Sequence, residues 1–359
     1  MRILHLDTGR SLRGGQQQVL FLMRGLEARG HLQILLSPPG SPTTIQARKA
    51  GFSVTEIPID HLGILTGVPR IRQAMREFEP DILHLHDARA HGFGYLANRT
   101  LKRPIVVSRR VAFPLGLSFW SKHKYFAPRQ RFIAVSLFIK NLLLGSGIRE
   151  MLVDVVYDCV DLELEPDNNP AERIGRTPGS FVVATVGALE PEKGHALLIE
   201  ALARLRSSTP PRRCIIAGEG SQRFPLLSLI AAHHLEDTVQ VIPPPESLTD
   251  FLRGIDLFVL PSRVEGLGSI LLLAMLCGIP VLASNAGGIP ELVVDKATGF
   301  LFPKDDVGAL SQALQRLGED VAQRNSVVAE AKARVKKQHS IEAMTEATLC
   351  SYQKAISTS

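Results

Sequence analysis

Short apolar segments alternate with amphipathic stretches along almost the whole chain of 359 residues. In the first half, the apolar segments are residues 3–6, 33–36, 54–57, 82–86, 105–108 and 132–135. Helical patterns lie between them, the clearest over residues 19–26. Strands that alternate with helices predict a parallel sheet covered by helices on both faces, so this pattern indicates an α/β fold.

The alternation stops at residues 163–180, which are rich in Pro, Asn, Gly and charge and are typical of a linker. It then resumes with apolar segments at 182–186, 214–217, 239–242, 257–260 and 280–283. We therefore predict two doubly wound, Rossmann-like domains, 1–165 and 181–335, joined by a linker at 166–180. A C-terminal helix, 336–359, could pack back on the first domain. Ligands of such sheets bind at the carboxyl ends of the strands, and we expect them in the cleft between the domains.

Composition excludes several classes of protein. Apolar residues make up 45% of the chain and charged residues 21%, which excludes disordered and fibrous proteins. The longest apolar run, 270–283, is shorter than the ~20 residues of a transmembrane helix, and the N-terminal run is too short for a signal peptide. The four cysteines lie far apart, without metal-ligand spacing. We therefore expect a cytoplasmic protein.

The net charge of +6 is unevenly distributed. Residues 88–149 contain no Asp or Glu and twelve basic residues, so the rest of the chain is net acidic. Such asymmetry predicts a polyanion, an anionic membrane surface or a phosphorylated substrate as partner. Phe119 and Trp120 stand beside Lys122 and Lys124 in this segment, which suits an anionic bilayer or a phosphorylated glycolipid. A buried loop flanked by solvated charges is the alternative, and nucleic acid ranks last because nothing in the chain reads bases.

Two motifs of the first half predict site residues. Gly14 and Gly15 follow the first predicted strand and open a helix, where backbone N–H groups can bind an anion or simply form a turn. The segment LHLHD ends another strand and contains His84 and His86. We interpret their alternation as placing the rings on opposite faces, so that they would not share one metal; His86 is then the site residue and His84 a core histidine. The absence of G-x-G-x-x-G disfavours a dinucleotide dehydrogenase.

The second half carries a cation and a carboxylate after two predicted strands. Lys193 stands at a strand-to-helix turn, where a lysine can neutralise a diphosphate or remain a solvated turn residue. The segment Glu265-Gly266-Leu267-Gly268 precedes a helix that we predict to begin near Ser269. Because Glu265 would repel an anion, we expect it to hold hydroxyl groups. An anion site next to a hydroxyl acceptor describes a sugar phosphate.

Taken in order, these motifs resemble the retaining, nucleotide-sugar-dependent glycosyltransferases of family 4 (group 1), which have two facing Rossmann-like domains (GT-B architecture). The matches include PDILHLHD, FIAVSLFIKNLLLGSGI and VVYDCVD in the first half, and VGALEPEKG, IIAGEG and ATGFLFPKDD in the second. The resemblance covers nearly the whole chain. It points to the branch that builds bacterial cell-envelope glycans and lipopolysaccharide.

The resemblance implies roles for individual residues. Gly14, Gly15 and Lys193 would bind the donor diphosphate, and Glu265 would hold the hydroxyls of the transferred sugar. His86 would contact the donor sugar at the reacting centre. Backbone groups around the second glycine motif would bind sugar and phosphate; they belong to Gly266, Leu267, Gly268, Ser269 and Ile270. No metal and no cofactor is expected, since we find no Asp-x-Asp pair and the nucleotide-sugar is a substrate.

Two positions depart from the family pattern. Leu273 stands where a second glutamate usually holds the nucleotide ribose, and Ala188 stands where an arginine usually pairs with the lysine. Losing a ribose acceptor and a bidentate cation weakens nucleotide binding. Arg109, Arg110 and Arg263 are candidates to compensate.

The sequence thus predicts transfer of a sugar from a UDP- or GDP-sugar to a cell-envelope glycan or glycolipid, such as lipopolysaccharide core, at the cytoplasmic face of the inner membrane. The resemblance implies retention by front-face displacement, in which the leaving phosphate takes the acceptor proton. Two alternatives stay open: a catalytically impaired member that binds a glycan or a partner, and a nucleotide-sugar epimerase.

Overall fold

The computed structural model describes residues 1–59, 63–112, 123–164, 181–205 and 212–358. They form two compact units: unit 1 contains Met1–Cys159 and Ile341–Ser359, and unit 2 contains Val160–Ser340. The predicted linker, 166–180, lies outside the described residues.

Unit 1 is built on a parallel sheet with the strand order β3-β2-β1-β4-β5-β6-β7. Its strands are β1 (Arg2–Leu6), β2 (Leu32–Ser37), β3 (Val54–Glu56), β4 (Ile82–Leu85), β5 (Ile105–Arg109), β6 (Gln130–Ala134) and β7 (Val153–Val155). Its first five described helices are α1 (Gly14–Glu27), α2 (Pro42–Lys49), α3 (Gly63–Phe78), α4 (Ala88–Asn98) and α5 (Leu137–Gly145). β1, β4, β5 and β6 are almost wholly buried, as expected for central strands covered on both faces, and polar residues such as His5, His84 and Gln130 are buried with them.

Unit 2 repeats this design with the strand order β10-β9-β8-β11-β12-β13. Its strands are β8 (Phe181–Val186), β9 (Arg212–Ala217), β10 (Val239–Ile242), β11 (Leu257–Leu260), β12 (Val281–Asn285) and β13 (Phe300–Pro303). Its described helices are α6 (His195–Ala203), α7 (Arg223–Ala232), α8 (Leu248–Arg253), α9 (Ile270–Leu276), α10 (Ile289–Leu292), α11 (Val307–Glu319), α12 (Val321–Ser326) and α13 (Val328–Gln338). Phe181, Leu198, Ile216 and Val259 lie in its core.

The C-terminal helix α14 (Ile341–Ser357) belongs to unit 1. Its residues Ile341, Met344 and Tyr352 pack in the same core as Ile3 of β1 and Phe21 of α1. The chain therefore returns to its first unit after completing the second, and the aromatic ring of Tyr352 is fully buried there.

The edges of the units differ from the predicted domains. Val160 belongs to unit 2, because its amide donates to the carbonyl of His339 at 2.9 Å. The predicted helix 336–359 is interrupted after Gln338, and α14 begins at Ile341. The short strands β7 and β13 were not predicted, since runs of three or four residues carry a weak pattern.

Strand order reverses once in each sheet, and ligands of such sheets bind at the point of reversal. In unit 1, β1 pairs with β2 on one side and β4 on the other; in unit 2, β8 pairs with β9 and β11. The two connections that leave such neighbouring strands run in opposite directions and open a crevice at their carboxyl ends. The loops after β1 and β4, and those after β8 and β11, are therefore the places to look for function.

Candidate active site

In unit 1, Gly14 and Gly15 are the first two residues of α1, directly after the loop that follows β1. A Cβ on Gly14 would meet no heavy atom within 4 Å, and one on Gly15 would lie 3.7 Å from Cδ of Arg110. The packing of the protein itself therefore requires neither glycine. A glycine that internal packing does not need is suited to close approach by a ligand, and here it opens a helix of fourteen residues.

The guanidinium of Arg110 stands beside this helix start with one nitrogen unused. Its Nε lies 3.3 Å from Oδ1 of Asp158, whereas its buried Nη1 has no hydrogen-bond partner among the described residues. A buried, unpaired N–H of a cation costs free energy, which an anionic ligand would recover. Arg109 differs: its side chain is buried and donates to the Tyr125 hydroxyl at 3.3 Å.

His84 and His86 share one face of β4 with His5 of β1. The ring centroids of His84 and His86 are 3.9 Å apart, and Nε2 of His86 lies 3.0 Å from Nδ1 of His5. The prediction of opposite faces was therefore wrong: side chains alternate along a strand, so residues two apart lie on the same side. The assignment of His84 to the core agrees with its burial.

These three rings meet the distance criterion for a metal ion, since one nitrogen from each lies within 4.8 Å of the others. Five of their six ring nitrogens nevertheless have hydrogen-bond partners. His84 alone bonds both the Tyr352 hydroxyl, at 2.6 Å, and the Ser108 hydroxyl, at 2.8 Å. A metal would have to displace several of these bonds. A hydrogen-bonded cluster therefore accounts for the rings better than a metal centre does.

Burial determines the protonation of the cluster. It lowers the pKa of His5 to about 4 and the pKa values of His84 and His86 well below the ordinary value, and the charges of the neighbouring histidines add to the effect for His84 and His86. At neutral pH each ring therefore carries one proton, and each has one donor and one acceptor nitrogen.

Two aspartates that we did not predict complete this region. Asp7 follows β1, accepts from Nε2 of Gln16 at 3.0 Å and is buried. Burial and the negative charge of Asp87 raise the pKa of Asp7 to about 6. Asp87 caps the N-terminus of α4 and accepts from the amide and the hydroxyl of Thr8, both at 2.7 Å. The position of Asp7 directly after a central strand could have identified it.

In unit 2, Lys193 and Glu265 form an ion pair after the neighbouring strands β8 and β11. Nζ of Lys193 lies 2.6 Å from Oε1 of Glu265, and that oxygen also accepts from the Ser262 hydroxyl at 2.8 Å. Both side chains are largely buried. The structure therefore brings together the two residues that the sequence predicted separately for phosphate and for hydroxyl groups.

Glycines hold the loop of Glu265 against its neighbours. Gly287, with φ of +58°, and Gly288 pack so closely that a Cβ on either would collide with the carbonyl oxygens of Glu265 and Gly266, respectively. The amide of Gly288 donates to the Glu265 carbonyl at 3.1 Å. Gly194, next to Lys193, approaches the Pro261 carbonyl in the same way. The backbone positions of both charged residues are thus fixed by contacts that only glycine permits.

The remaining predicted residues of unit 2 lie in the segments that follow β8 and β11. Helix α9 begins at Ile270 with Ser269 as its N-cap, and Leu267 and Leu273 are buried. The Ala188 carbonyl accepts from the His195 ring at 3.2 Å. Arg263 lines a cavity of about 100 Å³ beside His195, but its Nε lies 2.8 Å from Asp305. Arg263 therefore pairs with an acid at the exterior of unit 2.

Part of the positive charge of the basic segment 88–149 is paired with carboxylates in the structure. Arg110, Arg131 and Lys140 pair with acids that follow the segment: Asp158, Asp154 and Glu150. Phe119, Trp120 and Lys122 lie outside the described residues. Lys124 is half-buried and donates to the Ala88 carbonyl at 2.9 Å, whereas Phe126 is 54% exposed. Among the helices that the structure describes, none has the length and apolar character of a membrane span.

Two family models match the chain, one in each half. Residues 12–164 match glycosyltransferase family 4, and residues 169–334 match the glycosyl transferases group 1. Together they include the glycine pair, His84, His86 and the Lys193–Glu265 pair.

Named relatives and solved structures agree with these matches. The D-inositol 3-phosphate glycosyltransferase of Segniliparus rotundus is 36% identical over 158 residues, which are 42% of this chain and 35% of that protein. The protein of the same name from Mycobacterium bovis is 35% identical over 216 residues, 57% of this chain and 44% of that protein. The chain thus matches less than half the length of these relatives. Anabaena HepE in complex with UDP-glucose has a TM-score of 0.83 at 23% identity over 98% of this chain and 100% of that chain, which shows a shared fold.

Proposed function

Because the chain belongs to the glycosyltransferases of group 1 and family 4, we propose that it transfers a sugar from a nucleotide diphosphate donor to a hydroxyl group of a glycan or glycolipid. The observation that carries this proposal is the Lys193–Glu265 pair at the strand reversal of unit 2, 2.6 Å apart. A lysine neutralises a phosphate, and a carboxylate accepts from sugar hydroxyls. Backbone groups of residues 266–270 lie next to this pair in the chain and would bind sugar and phosphate.

We further propose that transfer proceeds with retention and without a metal ion. In a front-face displacement, the acceptor oxygen forms the new bond to the anomeric carbon while the bond to the leaving phosphate breaks, and the acceptor proton passes to that phosphate. The cation that stabilises the developing charge is Lys193. The sequence contains no Asp-x-Asp pair that would hold a metal on the diphosphate.

In unit 1, we assign the glycine pair and Arg110 to a phosphate group of a substrate. The support is the Nη1 of Arg110, unpaired among the described residues, the 3.7 Å approach of its side chain to the Cβ position on Gly15, and the place of both glycines at the N-terminus of α1. UDP- or GDP-sugars are the donor class we propose, and HepE, which shares the fold, binds UDP-glucose.

The acceptor we propose is an anionic glycan or glycolipid, such as a phosphorylated lipopolysaccharide core. The relatives named inositol 3-phosphate glycosyltransferases suggest a smaller phosphorylated polyol as the second acceptor to test. The cationic segment with Phe119, Trp120 and Lys122, followed by exposed Phe126, supports contact with an anionic bilayer. Sedimentation with phosphatidylglycerol vesicles, compared with phosphatidylcholine vesicles, tests that contact: equal recovery in both supernatants would contradict it.

Calorimetric titration tests the donor site directly. The purified full chain is titrated with UDP, GDP, ADP and CMP, first in EDTA and then with Mg²⁺. We expect saturable binding of one nucleoside diphosphate in EDTA. Binding of none of them would favour the non-catalytic alternative, and binding only with Mg²⁺ would contradict metal independence.

A further inference from the structure

His86 is the one member of the histidine cluster with an unused ring nitrogen. Its Nδ1 is buried and has no hydrogen-bond partner among the described residues, although both nitrogens of His5 and of His84 are bonded. His86 stands directly after β4, at the strand reversal of unit 1. What that nitrogen can do depends on whether it carries the proton.

The protonation of His86 follows from a chain of hydrogen bonds that begins at Gln33 and runs through His5 to His86. Nε2 of Gln33 can only donate, and it lies 2.9 Å from the carbonyl of Met23, so the amide is oriented with Oε1 toward His5. Oε1 can only accept, and it lies 3.1 Å from Nε2 of His5. Nε2 of His5 must therefore carry the proton. A neutral His5 then has a lone pair on Nδ1, which lies 3.0 Å from Nε2 of His86.

The last link follows from the same reasoning. Since Nδ1 of His5 accepts, Nε2 of His86 carries the proton, and Nδ1 of His86 keeps its lone pair. Burial lowers the pKa values of both rings, so both are neutral at pH 7 and the sequence of donors and acceptors is not disturbed by a second proton.

We infer that Gln33 and His5 are positioning residues that hold His86 as the Nε2–H tautomer, with Nδ1 as an acceptor for a hydroxyl group of a substrate. This role rests on the proposed function only in assigning the hydroxyl to a substrate of sugar transfer. The tautomer itself follows from the hydrogen bonds of unit 1. A hydroxyl is the fitting partner because it can donate to Nδ1, whereas a phosphate oxygen or a carboxylate could not.

The other histidine of β4 supplies a matched control. His84 contacts the same rings but is held by Ser108 and Tyr352, outside the chain that runs from Gln33 to His86. Ser108→Ala removes a buried hydrogen bond next to the cluster, and we expect it to leave the His86 tautomer unchanged. Gln33→Leu removes the acceptor that, among the described residues, Nε2 of His5 bonds, so the proton of His5 is free to move to Nδ1.

Long-range ¹H–¹⁵N spectra of the full chain labelled with ¹⁵N-histidine test the inference. The signals of His86 are assigned by their loss in His86→Gln. We expect a protonated Nε2 and an unprotonated Nδ1 in the wild type, and a mixture of tautomers in Gln33→Leu with about a tenfold loss of kcat/KM for transfer. Ser108→Ala should keep the wild-type pattern.

Three results would overturn the inference: a protonated Nδ1 on His86 in the wild type, an unchanged tautomer in folded Gln33→Leu, or coordination shifts of all three rings on adding Zn²⁺. The wild-type spectrum suffices even if Gln33→Leu does not fold. A confirmed tautomer without any transfer activity would count against the proposed function instead.

Discussion

The ammonium group of Lys193 lies 2.6 Å from the carboxylate of Glu265, although 72 positions separate the two residues in the chain. The pair forms because β8 and β11 are neighbours at the strand reversal of unit 2, so the loops that follow them meet. Each charge orients the other, and Ser262 fixes the same carboxylate oxygen from a third direction. In the proposed function, Lys193 binds a phosphate of the donor and Glu265 binds hydroxyl groups of its sugar, and the ion pair holds both side chains in place beforehand.

Glu265→Gln tests this pair. The amide keeps the shape of the side chain but loses the charge that holds Lys193 and strengthens hydrogen bonds from hydroxyls. We expect kcat/KM for transfer to fall about ten- to a hundredfold, the equivalent of roughly 1.5–3 kcal/mol for a hydrogen bond to a charged group. The control is Glu219→Gln, which removes an exposed carboxylate of the same unit. Equal rates for the two variants would exclude Glu265 from the site.

Arg110→Gln tests the anion site of unit 1. The substitution removes the unpaired Nη1 and also the ion pair with Asp158. We expect about a tenfold or larger loss, seen either as weaker binding of the nucleoside diphosphate or as a higher KM for the anionic acceptor. Arg89→Gln, at an exposed arginine of the same basic segment, should change neither. If Arg110→Gln also left the affinity for the nucleoside diphosphate and the KM for the acceptor unchanged, the assignment of Arg110 to a substrate phosphate would be contradicted.

Gly287→Ala should destabilise unit 2 and disturb Glu265 together. Alanine at a φ of +58° is strained by about 1–2 kcal/mol, and its Cβ would collide with the Glu265 carbonyl. Gly92→Ala is the matched control, because this glycine lies within α4 and a Cβ there would meet nothing within 4 Å. We expect it to stabilise the protein by about 0.5–1 kcal/mol. Thermal unfolding measures both effects, and similar shifts for the two variants would contradict the close packing at Gly287.

Asp7→Asn should alter the pH dependence of stability. The pKa of Asp7 rises from 3.8 to about 6 on folding, so the folded state binds the proton more tightly and the ionised carboxylate destabilises it. That destabilisation is absent below about pH 4 and complete above about pH 6. We therefore expect the free energy of unfolding of Asp7→Asn, relative to wild type, to increase by up to about 3 kcal/mol over this interval.

Denaturant unfolding at several pH values measures that difference. Since asparagine does not titrate, only the wild type contributes a change at this position. A difference that stays constant from pH 4 to pH 7 would mean that Asp7 titrates normally in the folded protein.

Much of the fold was predictable because apolar segments and turns are local signals. The central strands and the positions of Lys193 and Glu265 after two of them could be identified from the sequence, and the structure adds that β8 and β11 are neighbours. The prediction that separated His84 from His86 was wrong, because side chains two positions apart on a strand lie on the same face. The raised pKa of Asp7 could not be predicted, because it depends on burial and on Asp87, 80 positions along the chain.

Other parts of the site depend on contacts that no local pattern contains. Gln33 orients His5 only because β2 pairs with β1. The Nη1 of Arg110 is buried without a partner among the described residues, because the fold places the guanidinium beside Asp158, which Nε contacts. The hydrogen bond between the Tyr352 hydroxyl and His84 likewise depends on how α14 packs on the sheet of unit 1. Such relationships are set by tertiary packing and were therefore beyond the sequence.

The most direct test of sugar transfer is a product assay with a panel of UDP- and GDP-sugars and anionic acceptors, lipopolysaccharide core and inositol phosphate among them. NMR identifies the released nucleotide and the anomeric configuration of the product. We predict acceptor-dependent release of one nucleoside diphosphate in EDTA, with the anomeric configuration of the donor retained and with little turnover in Glu265→Gln. Conversion of the nucleotide-sugar to its epimer without an acceptor, or nucleotide binding without turnover on any acceptor, would contradict the assignment.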